Sequence, residues 1–327
     1  MKKVLLISLY PWGSSNQLAL WYLKAYLLKY IQKPSSINIS ILTFPLFQET
    51  EIILKKIYYQ KPDIIGFSCY VWNIETILKL SNLIKKSMPR VRVVLGGPEV
   101  SAQPKELLKD NKFLDVVVKG EGEETFKELV EHYLFRDGDI RCIKGISYRS
   151  KGGIIENNPR PEIKCLDTIP SPYIEGVAKI NADTEIPLET SRGCIYKCHY
   201  CYYHKGFNSI RYFAMDRVEK ELKLILHKRV KCLYIMDPTF NIDKGRAKHI
   251  LRIIIKNNIN THLHVELKAE LLDKDLVGLL YKAKANFIEI GIQSTNKKTL
   301  KLINRDFNRA LFKKNIVLLN KKKIYYQ

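Results

Sequence analysis

The chain has 327 residues, enough for about two domains that each build their own core. Hydrophobic residues make up 46% and charged residues 27%, and no apolar run approaches the roughly 18 residues a membrane span needs, so the chain reads as a soluble protein rather than a helical membrane protein. Lys and Arg outnumber Asp and Glu by 55 to 33, a net charge of +22, yet the lysines are spread among Ile- and Asn-rich segments without an Arg-rich block, so a compositional bias outranks a nucleic-acid partner.

The opening "MKKVLLISLYPWG" has a basic pair and an apolar run. The run stops at "YPWG" with no small-residue cleavage pattern, so it reads as a buried first strand rather than a signal peptide. "QLALWYLKAYLLKYI" follows with apolar residues on a 3.6 period. "INISILTF", "DIIGFSCY", "VRVVLGG" and "DVVVKG" are further strands, with "ETILKLSNLIKKS" and "EETFKELVEHYL" as helices. Val/Ile-rich strands with helical crossovers predict a parallel sheet covered on both faces, a doubly wound α/β domain over residues 1–135.

Residues 136–182 are polar and proline-rich and read as a linker, with a hairpin at "GISYRSKGGIIENN" and an extended "IPSPY". From residue 183 to 327 the alternation resumes. "IPLET", "CLYIMD", "THLHVELK" and "FIEIGIQ" are strands, interleaved with helices at "MDRVEKELKLILHK", "GRAKHILRIIIKN" and "DKDLVGLLYKAK". "NKKTLKLIN" and "ALFKKNIVLLNKK" lead to "IYYQ", the opening of a fifth strand. Repeated βα units predict a partial TIM-like barrel with functional residues on the loops after the strands. The pattern stops short of a six-unit part-barrel, so a truncated or frameshifted product with lost activity is expected.

Seven cysteines, three of them clustered, suit a reduced cytoplasm and one metal site better than a disulfide framework. The cluster is Cys194, Cys198 and Cys201 in "SRGCIYKCHYC", directly after the first strand of the second array. One reading is zinc completed by His204, although four ligands in one loop leave the metal little chain to clamp together. The other is a [4Fe-4S] cluster held by three thiolates, whose fourth iron keeps an open position for a substrate or cofactor. His199 and His204 read as exposed loop residues.

The spacing C-x3-C-x2-C after the first barrel strand resembles the radical S-adenosylmethionine (SAM) superfamily. That resemblance implies that Cys194, Cys198 and Cys201 ligate the cluster and that the open iron takes the amino and carboxylate groups of SAM. It places Tyr200 near the adenine. "YIMDPTFN", "VELKAELLDKDLVGLLYKA" and "FIEIGIQSTNKKTLKLINR" resemble the family's next three strand segments, which implies SAM contacts for Asp237, Glu266, Gln293 and Ser294. Carboxylates and an amide match the ammonium, ribose diol and adenine edge of SAM.

In the front domain, Ser68, then Gly96 and Gly97, then Gly120, Glu121, Gly122 and Glu123 each follow a strand, on the edge where open α/β sheets bind ligands. The order "GGP", "GEGE", hairpin, "IPSPY" and cysteine triple resembles the cobalamin-binding class of radical SAM proteins, which implies that these residues contact cobalamin. That class includes members that give cobalt no protein histidine, and here "YPWGSSNQ" stands where other cobalamin modules carry D-x-H-x-x-G, with no histidine before His132. The resemblance implies a cobalamin-dependent radical SAM enzyme for methyl transfer or cyclisation, needing a reductant such as a flavodoxin or ferredoxin. The rivals are a non-catalytic zinc and nucleic-acid binding module and a cluster-bearing radical SAM protein without cobalamin.

Overall fold

Strand β1 (Lys2–Tyr10) buries six consecutive residues, Val4 to Leu9. Only a strand covered on both faces needs such a run. The computed structural model describes residues 1–11, 18–207, 209–257 and 260–327. In it, β1 is followed by α1 (Leu18–Tyr30), β2 (Ile37–Pro45), α2 (Thr50–Gln60), β3 (Ile64–Ser68), α3 (Ile74–Ser87) and β4 (Arg92–Gly96). Two short helices, α4 (Pro98–Ser101) and α5 (Pro104–Asp110), precede β5 (Val116–Val118) and α6 (Glu123–Val130). The strands order β2-β1-β3-β4-β5, all parallel, the flavodoxin-like doubly wound arrangement.

Alternate residues of β1 feed two cores. Leu5, Ile7 and Leu9 pack with Ile53 and Ile57 of α2 and Ile77, Leu80 and Ile84 of α3, whereas Val4 and Leu6 pack with Leu20 and Leu27 of α1 and Phe126 and Leu129 of α6. Helices α4 and α5 are too short for a periodic signal; each begins at a proline, which suits a first-turn position where no amide partner is needed. The expected helix 123–134 ends as an α-helix at Val130 and continues as a π-helical turn, Glu131–Phe135.

The predicted linker hairpin belongs to the sheet instead. Strand β6 (Ile146–Ser150) pairs antiparallel with β5, and β7 (Gly153–Glu156) pairs with β6. Ile146 and Tyr148 are buried in the α1/α6 core, which gives the hairpin an apolar face to dock. Residues Met1–Ile163 and Ile169–Val177 form one compact unit, and Lys164–Thr168 and Ala178–Gln327 form a second. Tyr173 returns to the first unit edge-to-face against Trp21, with ring centroids 6.0 Å apart.

The second unit runs β8 (Glu185–Leu188), β9 (Ser191–Arg192), α7 (Tyr203–Gly206), β10 (Arg211–Tyr212), α8 (Met215–His227), β11 (Cys232–Ile235), α9 (Lys244–Asn257), β12 (His262–Glu266), α10 (Lys274–Lys282), β13 (Ala285–Glu289), α11 (Lys297–Leu302) and α12 (Arg309–Lys321). Strands β8, β11, β12 and β13 lie side by side in chain order and all parallel, the sequence of a part-barrel, while β9 and β10 form a small antiparallel pair. Gln327 exchanges backbone bonds with Ile288 and Ile290, 2.9 Å each, on either side of Glu289, as a residue in a parallel ladder does.

Here burial alternates. Leu233, Ile235, Leu263 and Val265 are buried, while Tyr234, His264 and Glu266 stand on the opposite face. That face is polar: His264 bonds Glu185 and Glu289, 2.9 Å to each, and stacks on Tyr234, whose hydroxyl donates to Glu266 at 2.6 Å.

Candidate functional site

The carboxyl edge of the first sheet gathers the residues singled out there. Ser68 sits opposite Gly96, and Gly96 opposite Val118, so the loops after β3, β4 and β5 emerge side by side. Gly97 has φ +117°, and a Cβ on it would lie 2.4 Å from the Cys69 carbonyl oxygen. No other residue type fits. Glu121 accepts a 2.7 Å bond from the Ile163 amide, and Glu123 is buried in the first turn of α6. Glu121 thus serves the protein's own framework, and Glu123 stands where an acidic side chain favours the helix N-terminus that follows.

Asn73, absent from the sequence-based candidates, organises this edge. Its side chain, 1% exposed, donates to the carbonyls of Leu9 and Ser68 at 3.0 Å and accepts from the Tyr70 amide at 2.8 Å. The same loop presents Val71 and Trp72 to solvent, with Trp72 stacked on Tyr70 at 4.5 Å. The available signal is the run "CYVWN", where apolar bulk follows a strand end. The segment "WGSSNQ", from the loop that lacks the histidine motif, lies outside the described residues.

The cysteine loop follows β9, just after β8 of the four-stranded sheet. Gly193, at φ +108°, carries the chain into it; a Cβ there would fall 2.0 Å from the Ser209 carbonyl oxygen. Cys198 is buried, Cys194 and Cys201 are half-buried, and the Cys201 amide donates to the Cys198 carbonyl at 3.0 Å. Burial pushes the Cys194 thiol up, helped by the neighbouring Cys201 and Cys198 and opposed by the Tyr196 amide and Arg305. Among the described residues no three His, Cys, Asp or Glu side chains are gathered closely enough to hold a metal ion. His199 is exposed and bonds the Leu302 carbonyl at 2.8 Å, while the side chain of His204 lies outside the described residues.

Each strand end of the second unit contributes a support. Asp237, after β11, is 3% exposed and accepts from the amides of Thr190 and Ser191 at 2.7 and 3.0 Å and from the Thr190 hydroxyl at 2.5 Å. Burial pushes its carboxyl up, against the pull of those donors. Its bonds are to the base of the cysteine loop, so it fastens the loop where a SAM contact was expected. Glu266 is half-buried, and burial raises its carboxyl as well, against the Tyr234 hydrogen bond.

Gln293 is exposed, in left-handed backbone at φ 68° with its amide over Gly291, and the Ser294 hydroxyl accepts from the Asn296 amide at 3.1 Å to shape the following turn. Tyr200 is 51% exposed on the loop. Glu266, Gln293 and Tyr200 thus keep surface for a ligand, while Asp237 does not.

Four further residues join the site that no motif singled out. Arg305 donates to the Gly291 carbonyl and points another nitrogen at the Cys198 sulfur, 3.9 Å away. Lys268, 6% exposed, holds its ammonium 4.2 Å over the Tyr196 ring. Asn241, fully buried, clasps the Lys268 backbone through both side-chain atoms at 2.9 and 3.0 Å. Arg246 donates to the carbonyls of Thr190 and Phe213 at 3.0 and 2.8 Å. Arg305, Lys268 and Asn241 stand inside the segments quoted for the family resemblance; their basic or amide character within those segments is the available signal.

Comparison with known proteins agrees with this layout. Residues 14–130 match the family model of the B12 binding domain, and residues 188–325 that of the radical SAM superfamily. The chain is a B12-binding-domain radical SAM protein. It is 32% identical over 191 residues to the cobalamin-dependent radical SAM methyltransferase TokK of Streptomyces tokunonensis, covering 56% of this chain and 28% of TokK. It is 24% identical over 256 residues to the anaerobic magnesium-protoporphyrin IX monomethyl ester cyclase of Synechocystis sp., covering 76% of this chain and 51% of the cyclase. The structure of the cobalamin-dependent SAM radical enzyme OxsB with aqua-cobalamin and SAM bound superposes with a TM-score of 0.78 at 19% identity, over 100% of this chain and 49% of OxsB. At that identity the likeness is of fold. The chain thus spans about half or less of the length of these relatives.

The donor chemistry of this radical SAM protein suits an iron-sulfur cluster. A cubane takes each thiolate on a different iron, so it asks for sulfurs set wider apart than one metal ion does. The Arg305 guanidinium beside Cys198 offsets the negative charge such a group would bring. In the first unit, a Cβ added at Gly120 would meet no atom within 4 Å, which leaves backbone open at the edge where a ligand would rest. Among the described residues no helix is long and apolar enough to cross a membrane.

Proposed function

We propose that Cys194, Cys198 and Cys201 hold a [4Fe-4S] cluster, that the edge carrying Ser68, Gly96, Gly97 and the 120–123 loop holds cobalamin, and that the chain serves radical methyl transfer in the cytoplasm. The observation that carries this reading is the set Cys194, Cys198 and Cys201 on one short loop after the first strand of a sequential parallel sheet, with the Arg305 guanidinium 3.9 Å from the Cys198 sulfur. When bound, these groups supply a 5′-deoxyadenosyl radical from SAM and a methyl carrier on cobalt.

The chain's own residues bind and orient. Gly193 and Asp237 set the loop, and Arg305 neutralises charge at Cys198. Glu266 and Gln293 offer a carboxylate and an amide to the polar edge of SAM, and Tyr200 offers a ring face to its adenine. Lys268 holds its ammonium over the Tyr196 ring of the cysteine loop and pairs with Asp306 at 3.3 Å. Ring formation is the second reading, favoured by the cyclase similarity.

Anaerobic reconstitution tests the reading. The parent chain should bind about four irons and sulfides and absorb broadly near about 400 nm, and the Cys194→Ala, Cys198→Ala and Cys201→Ala variants should not. Dithionite with SAM should then yield 5′-deoxyadenosine. Colourless protein holding one zinc would overturn it.

A further inference from the structure

The amino edge of the first sheet, opposite the glycine loops, carries two adjoining clefts. Helix α6 starts at the 120–123 loop on one edge and ends on the other in the π-helical turn Glu131–Phe135. Such turns are rare and recur at functional sites. Phe135 lines a cleft of about 650 Å³ together with Lys2, Lys33, Ser35, Ser36 and Asp63. It also lines a cavity of about 270 Å³ with Gln32, Lys33, Glu131, Arg136 and Asp137. Lys33 and Phe135 belong to both, and the larger volume alone falls in the roughly 300–1,000 Å³ range of small-molecule sites.

The two ends differ in chemistry. In the larger cleft the one acid, Asp63, is engaged by the Lys3 amide at 2.8 Å, which leaves a lining of two ammonium groups and two serine hydroxyls suited to a phosphate. In the smaller cavity Asp137 accepts from the Gln32 side chain at 3.0 Å, and Glu131 pairs through Oε2 with Lys127 at 2.9 Å. Glu131 is 7% exposed, and its Oε1 has no hydrogen-bond partner among the described residues. A buried carboxylate oxygen without a donor is costly, so an N–H group is what this end lacks. Between the two ends stands the half-buried ring of Phe135, a surface for stacking.

We propose that this double cleft binds a nucleoside monophosphate whose base carries an exocyclic amine. The phosphate pairs with Lys2 and Lys33, the base stacks on Phe135, and the amine donates at Glu131. Free phosphate would satisfy one end only, and a simple amine the other. The site is separate from both proposed cofactor sites, because the length of α6 lies between it and the glycine loops and its residues all belong to the first unit.

Calorimetric titration of the full chain without a cluster tests this, with AMP as the probe. AMP should bind saturably, with a Kd below about 1 mM, and inorganic phosphate and adenosine should each bind at least ~10-fold more weakly. The K2E/K33E variant should weaken AMP at least ~10-fold, whereas K79E/K86E, the same change in net charge on α3, should stay within about 2-fold of the parent. Glu131→Gln should weaken AMP but not purine riboside monophosphate, which lacks the amine and should bind the parent less well than AMP does. Thermal unfolding checks that each variant is folded. No saturation by about 5 mM AMP, equal weakening by the two lysine variants, or phosphate binding as tightly as AMP overturns the site. Equal binding of AMP and purine riboside monophosphate by the parent overturns the assignment of the base.

Discussion

The two parallel sheets solve one problem in different ways. In the first, β1 buries six residues in succession because helices cover both faces, and its ligand edge is built from backbone: glycines, strand-end carbonyls and the Asn73 amide that ties them. In the second, β12 alternates buried and open residues because helices cover one face only, and the other bears Tyr234, His264, Glu266 and Glu289. A sheet sealed on both sides can offer a ligand only its rim. One left open on a side can add side-chain chemistry along its strands. The difference matches the cofactors proposed for each, a broad ring held at an edge and a small charged nucleotide held by polar groups.

Backbone replacement should break the comparison most severely. Gly193→Ala drives a Cβ to 2.0 Å from Ser209, and Gly97→Ala to 2.4 Å from Cys69, both at positive φ. Each should cost about 3–5 kcal/mol, read by thermal or denaturant unfolding. Gly193→Ala should also abolish iron uptake while Gly97→Ala leaves it intact. Gly96→Ala, whose Cβ would meet only Val118 at 3.8 Å, is the mild control.

The clasps come next. Asp237→Ala strips acceptors from two buried amides and a hydroxyl and should destabilise by about 3 kcal/mol, and Asn73→Ala by about 2 kcal/mol. Iron content should fall in the first and hold in the second. Equal effects on iron would mean that the two edges are not independent sites.

The smallest effect is a pH dependence confined to the open face. Burial disfavours a charged His264, but hydrogen bonds and charge from Glu185 and Glu289 outweigh it and hold its pKa above the ordinary value. A raised histidine pKa stabilises fully below the unfolded value of about 6.5, and that stability is lost as pH rises through the folded pKa. The parent should lose a few degrees of melting temperature between about pH 6 and 9, and His264→Gln should lose less. Parallel curves would show that the Glu-His-Glu set carries no charge.

Much of this is legible in the chain. Continuous runs such as "VLLISL" announce the sealed sheet, and "THLHVELK" carries in its alternation the open one. The cysteine spacing points at the site because ligands that serve one loop must lie close in sequence. Helices α4 and α5 escape a pattern-based reading because helices this short have no period to detect. The hairpin reads as a linker because four to five residues per strand do not reveal which strand they will join.

What the sequence by itself determined was local: the order of strands and helices, the cysteine triple, and the glycines whose backbone no other residue can adopt. The tertiary structure decided which polar groups are used up and which remain open. Asp237 and Glu266 are both acids at strand ends, yet one is spent on three hydrogen bonds inside the fold and the other keeps surface. Arg305 reaches Cys198 across 107 positions of sequence, and the cysteine loop meets the end of α11 only because two distant stretches are bonded side by side. Such pairings depend on where the chain turns back on itself, and no spacing within a single segment records that.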